Sequence, residues 1–120
     1  MSDTKWRKLI DALDQPGLDL GHCVIKFVGD PELRATYRPG RASLYPGSGW
    51  IDASLGPIRL RTLEWLMFPR RFEYRASRTT PAKTFEQDVD QAARVLASLG
   101  EYPVEVSDEG LLVRGYLPAD

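Results

Sequence analysis

The sequence predicts an α+β domain, an antiparallel or mixed sheet of about five to seven strands with two helices packed on one face. Two stretches carry apolar residues at helical spacing: Trp6, Leu9, Ile10 and Leu13 near the start, and Phe85, Val89, Ala92, Leu96 and Leu99 further on. Between and after them, short runs alternate apolar and polar residues at the period of half-buried strands. Gly and Pro fall in clusters that separate these runs. The 120 residues fit one domain spanning 1–120. A chain of this length buries roughly two-thirds of its unfolded surface and needs no covalent staple.

The first helix is expected over Thr4 to Asp14, capped by Ser2 or Asp3 and stopped by Gln15-Pro16-Gly17. Leu20 to Val28 reads as a strand. Cys23, Ile25 and Phe27 point one way; His22, Val24, Lys26 and Val28 point the other. Two largely apolar faces predict a central strand with a helix over one side. Gly29-Asp30-Pro31-Glu32 makes a turn, and a strand follows around Arg34 to Arg38. After the Pro39-Gly40 turn, Arg41 to Tyr45 reads as its hairpin partner. Pro46-Gly47-Ser48-Gly49 turns the chain into Trp50 to Leu55. No helix and no Gly-Lys-Ser/Thr follows those glycines, so they do not read as a phosphate loop.

Gly56 to Arg78 concentrates the apolar bulk, and the rest of the chain is expected to pack around it. Ile58 to Leu63 fits a short helical turn or a strand. Trp65 to Ser77 reads as a strand broken or bulged at Pro69, because proline has no N–H for a ladder. Beyond the break, Phe72, Tyr74 and Ala76 alternate with Arg71, Glu73 and Arg75. The helices are expected to shield Phe27, Trp65, Phe68 and Phe72. After a Thr79-Thr80-Pro81 link, Thr80 with Pro81, or Thr84 with Gln87, caps the second helix. That helix runs to about Leu99, with Phe85 on its apolar stripe, and ends at Gly100. Pro103 to Val106 and Leu111 to Leu117 form a terminal hairpin around Ser107-Asp108-Glu109-Gly110.

The net charge of −1 hides an uneven layout. Residues 34–83 carry ten basic and three acidic side chains, whereas residues 84–120 carry two basic and eight acidic ones. Two readings stand: a basic binding face, or regions that neutralise one another on folding. No apolar run approaches the roughly 20 residues of a membrane span, and the N-terminus lacks the apolar core of a signal peptide. The lone Cys23 forms no internal disulfide and fits a cytoplasmic location. With one His and one Cys in the chain, a zinc site would need carboxylates or a second subunit. No metal, cofactor or catalytic motif is expected.

Candidates for chemistry are few. His22 alone has an ordinary pKa near neutrality, and it projects away from the neighbouring Cys23, which argues against a pair made from these two. Glu64, between Leu63 and Trp65, reads either as a carboxylate desolvated by aromatics or as a partner of Arg59 or Arg61. Arg70, Arg71, Arg75 and Arg78 interleave with Phe72 and Tyr74, the mixture that tracks phosphates and stacks bases. Glu73 interrupts that patch, and the pI is about 5.8.

The Lys5-Trp6 helix, the Val24-Ile25-Lys26-Phe27 strand, and Gly56-Pro57-Ile58 leading into Glu64-Trp65-Leu66 resemble a family of small bacterial proteins described only as a domain of unknown function. The resemblance spans roughly residues 5–75, implies a bacterial cytosolic protein, and implies no activity, cofactor or catalytic residue. The size and α+β pattern are also similar to those of small immunity and adaptor proteins.

The expected function is therefore protein binding, as a small adaptor, regulator or immunity-type domain. Its contact surface is expected in the basic middle, at Arg38, Arg41, Trp50, Arg70, Arg71 and Arg75, with Tyr37 and Tyr45 as further aromatic anchors. The alternatives are a nucleic-acid binder using Arg70 to Arg78, and a small-molecule-binding protein or enzyme using His22 or Glu64. An isolated edge strand also leaves a homodimer by sheet extension open.

Overall fold

The computed structural model describes residues 1–45 and 47–116. Pro46 and Leu117, expected in a turn and in the last strand, lie outside the described residues. The fold is α+β. Helix α1 (Asp3–Leu13) leads into strands β1 (His22–Phe27) and β2 (Leu33–Tyr37). A small hairpin follows, β3 (Trp50–Ala53) with β4 (Gly56–Arg59), and then β5 (Leu63–Pro69). A second small hairpin pairs β6 (Arg71–Tyr74) with β7 (Lys83–Glu86). Helix α2 (Val89–Leu99) and strands β8 (Val104–Val106) and β9 (Gly110–Arg114) complete the chain. The main sheet has five strands in the order β2-β1-β5-β9-β8, with every neighbouring pair antiparallel. No helix among the described residues is long and apolar enough to cross a membrane.

Strand β5 is central because its alternate residues are apolar enough to face a core. Leu66 lies between Ile25 and Val113, and Phe68 pairs with Leu111. These residues, with Cys23, form the buried face of the sheet. The stripe of α1 (Trp6, Leu9, Ile10, Leu13) and that of α2 (Val89, Ala92, Leu96) join the same cluster, so both helices cover one face. The opposite face carries two cross-strand rows. One holds Val24, Met67 and Leu112; the next holds Lys26, Trp65 and Arg114. All six are half-buried, without a helix over them. Trp65 thus lies across the sheet from the helices that were expected to shield it. Phe68 is buried beneath them, and Phe27 packs at the core's margin.

Three sequence expectations give way to local chemistry. Arg41 to Tyr45 is not a returning strand. Residues Arg41–Ser43 form a 3₁₀ turn, in which the Gly40 amide donates to Ser43 Oγ (3.1 Å) and the Arg41 amide to Asp14 Oδ2 (2.6 Å). Those bonds consume the donors that a ladder would need. Residues 83–86 are strand rather than helix, because Phe85 pairs with Phe72 across the hairpin. Helix α2 starts later, capped by Asp88, whose carboxylate accepts from the Gln91 amide (3.1 Å). Glu64 pairs with Lys26 at 2.8 Å rather than with Arg59 or Arg61. The break at Pro69 is as expected, and Ile58 to Leu63 divides between β4 and a 3₁₀ turn at Leu60–Thr62.

Gly110 stands where β9 meets the end of β5, with φ at +154°, and a Cβ there would run into the Phe68 carbonyl oxygen. Gly29 has φ at +78° with open space around it. Urea unfolding should therefore show Gly110→Ala losing at least about 2 kcal/mol, and Gly29→Ala only about 1 kcal/mol. Equal losses would mean that the β5–β9 approach does not constrain residue 110.

Candidate functional site

The chain leaves the main sheet at Pro69, and two residues later it enters the β6–β7 hairpin. One buried polar side chain ties that hairpin back. Gln87 Oε1 accepts from the His22 amide (2.6 Å), and Nε2 donates to the carbonyls of His22 (3.0 Å) and Pro69 (2.8 Å). The Gln87 amide itself donates to the Arg70 carbonyl (2.8 Å). A side-chain amide thereby stands in for a short piece of strand at the ends of β1 and β5.

This clamp sets the position of His22 against the hairpin. The imidazole stacks on Phe72 at 4.4 Å between centroids and 12° between planes, and Phe72 stacks on Phe85 at 5.4 Å and 19°. Tyr37 is the cross-strand partner of His22, and its ring lies over Gly21, where a Cβ would sit 3.0 Å from the ring edge. Between Tyr37 and the stacked rings lies an open slot of about 250 Å³. Gly21 and Gln87 contribute to its lining, and Asp19 and Glu86 supply its carboxylates. Burial holds the His22 imidazole below its ordinary pKa of 6.5, so the ring is neutral at pH 7.

Cys23 lies on the other face, fully buried, its thiol pushed up to about 12 by burial. It is therefore no nucleophile at neutral pH. The buried Thr36 hydroxyl, on the strand residue opposite Cys23, has no hydrogen-bond partner among the described residues. Among the described residues, no three His, Cys, Asp or Glu side chains converge as metal ligands. Chemically, the slot is lined by aromatic side chains, a neutral imidazole and two carboxylate-bearing residues.

The residues singled out in the sequence are dispersed. Arg38 sits mostly buried, donating to the Leu20 carbonyl and to Asp14 Oδ1 (3.2 Å). The Arg41 amide holds the Asp14 carboxyl below its ordinary range, with Arg38 assisting, and the Arg41 side chain pairs with Asp11. Trp50 lies on β3 beneath the Arg59 guanidinium, 4.7 Å from the ring centroid. Arg70 forks onto Asp90 (2.7 and 3.2 Å) and donates to the Ser107 carbonyl; its hydrogen bonds hold Asp90 below the carboxylate range. Arg71 pairs with Glu86 at 3.3 Å. Arg75 is exposed beyond β6 and forms no ion pair among the described residues. Only Arg70, Arg71 and Arg75 share one region, at the root and tip of the β6–β7 hairpin. Sequence reasoning missed the slot because Phe72 and Phe85 read as core residues. The alternation in Lys83-Thr84-Phe85-Glu86 was a usable signal for the hairpin, whereas nothing in the sequence marks Gln87 as buried.

Comparison with protein-family models, with curated proteins and with solved structures finds no match.

Two measurements test the construction of this region. Gln87→Ala strips three hydrogen bonds from half-buried backbone groups and should cost about 2–3 kcal/mol in urea unfolding. Gln87→Glu should cost at least as much, since a carboxylate would face two carbonyl oxygens. The second concerns pH. Because burial depresses the folded-state pKa of His22, its stabilising contribution is present above about 6.5 and is lost as pH falls through the folded value. Wild type should therefore lose more stability than His22→Phe between pH 7.5 and 5.5, and equal slopes would contradict the burial of this ring.

Proposed function

We propose that the chain is a non-catalytic protein-binding domain, of the adaptor, regulator or immunity type, that presents its β6–β7 hairpin and the adjoining slot to a polypeptide partner. The carrying observation is the concentration of exposed aromatic surface in this region. Tyr74, Phe85 and Tyr37 are 60%, 43% and 65% exposed, on strands whose backbone pairing already orders them. Ordered, exposed aromatic side chains are the usual anchors of protein interfaces. Arg75 and Arg78 add positive charge at the hairpin's end, where they steer association.

The nucleic-acid reading is weaker, because Arg70 and Arg71 are engaged with Asp90 and Glu86. That leaves Arg75 and Arg78, a short footprint for a phosphate backbone. An enzymatic role for His22 lacks a partner, since its ring stacks on Phe72 and no carboxylate hydrogen-bonds to it among the described residues. We place the protein in the bacterial cytoplasm, the setting that the sequence resemblance and the free thiol of Cys23 favour.

Quantitative affinity capture from nuclease-treated native lysate tests the reading, comparing wild type with the double variant Tyr74→Ala, Arg75→Glu. Arg94→Ala, on the exposed side of α2, is the control. A discrete polypeptide should be retained by wild type and the control, and reduced at least about tenfold by the hairpin variant. Retention unchanged by the hairpin variant, or recovery of nucleic acid alone without nuclease, would overturn it.

A further inference from the structure

We propose that the slot between Tyr37 and the His22–Phe72–Phe85 stack is a binding site for a cationic side chain, specifically an arginine of the partner polypeptide. This inference rests on the protein-binding reading above and names what the partner inserts.

The slot's chemistry selects for positive charge on an apolar stem. Four of its lining residues, His22, Tyr37, Phe72 and Phe85, are aromatic, and the face of an aromatic ring carries the negative end of its quadrupole and attracts a cation. Its charged lining residues, Asp19 and Glu86, are both acidic, and no Lys or Arg lines it. The Asp19 side chain forms no ion pair among the described residues, since only its backbone carbonyl is engaged, accepting from the Asp88 amide. Glu86 shares its carboxylate with Arg71 at 3.3 Å in an exposed pair that an incoming guanidinium can join or displace. The half-buried, neutral imidazole of His22 adds no repulsion.

Geometry favours guanidinium over ammonium. Phe72 lies nearly parallel to both of its neighbours, at 12° and 19°, so the three rings form a stack beside the slot rather than a box around it. A guanidinium is planar, weakly hydrated, and able to stack while it forks onto a carboxylate. A guanidinium over an aromatic ring already occurs in the chain. The Arg59 guanidinium lies 4.7 Å from the Trp50 ring centroid, outside the slot. Backbone pairing holds the receiving rings before any ligand arrives, His22 against Tyr37 and Phe72 against Phe85, so little side-chain entropy remains to be lost.

The test uses the full chain and two small probes of almost equal shape, Nα-acetyl-arginine amide and its neutral isostere Nα-acetyl-citrulline amide. Amide resonances of Gly21, His22 and Phe85 are followed by NMR as each is added. The arginine probe should shift these resonances and bind at least about tenfold more tightly than the citrulline probe. Asp19→Asn, an exposed change that leaves the backbone bond to Asp88 in place, should weaken arginine binding by about threefold or more. Phe85→Ala should abolish it, while resonances of the main sheet remain in place. Equal binding of the two probes, or no shift from either, overturns the assignment. If that happens while hairpin-dependent capture of a partner persists, the slot assignment alone falls. If the arginine probe binds selectively but no partner is captured, the slot stands and the protein-binding reading falls.

Discussion

Pro69 has no N–H to give, and much of the molecule follows from that missing donor. Strand β5 is the centre of the sheet, flanked by β1 and β9, yet it must end where proline breaks the ladder. The backbone beyond it still needs partners. The Arg70 amide finds the Glu109 carbonyl (2.8 Å), the Arg70 carbonyl accepts from the Gln87 amide, and the Pro69 carbonyl takes the Gln87 side chain. These bonds release the chain from the sheet as a separate hairpin while fixing its root. The aromatic slot exists because the hairpin leaves the sheet there, and because Gln87 holds β1 at the same junction.

Charge plays a quieter part. Ion pairs cross from the basic middle of the chain to its acidic flanks: Arg38 and Arg41 to Asp14 and Asp11, Arg70 and Arg71 to Asp90 and Glu86. Most are exposed and contribute little stability. Arg38 differs, because its guanidinium is only 10% exposed and is bonded to both Asp14 and the Leu20 carbonyl. These pairs dissolve much of the asymmetry visible along the sequence. Positive charge free of ion pairs among the described residues includes Arg75 and Arg78, beyond β6, while the carboxylates of the slot face the opposite way in sign.

The two faces of the sheet have different fates. One meets both helices and becomes the core. The other leaves Val24, Trp65, Met67 and Leu112 half-buried, with Lys26, Glu64 and Arg114 laid among them. Long charged side chains cover apolar neighbours with their stems and keep their heads in water. The Lys26–Glu64 pair bridges β1 and β5 on this side and closes part of the row.

Local periodicity determined the α+β class, helix α1, strand β1 as an inner strand, the break at Pro69 and the terminal hairpin, because each is written in the spacing of neighbouring residues. The stripe that identified α2 also extended it too far, since Phe85 satisfies a helical and a strand spacing equally well. Only the pairing with Phe72, set by contacts distant in sequence, decided between them. The same holds for the slot. Asp19, His22, Tyr37, Phe72, Phe85 and Gln87 come from four separate stretches, and no local pattern encodes their meeting. The burial of Gln87 was decided by three backbone groups left without partners where β1 and β5 end, a need that arises only once the sheet is assembled.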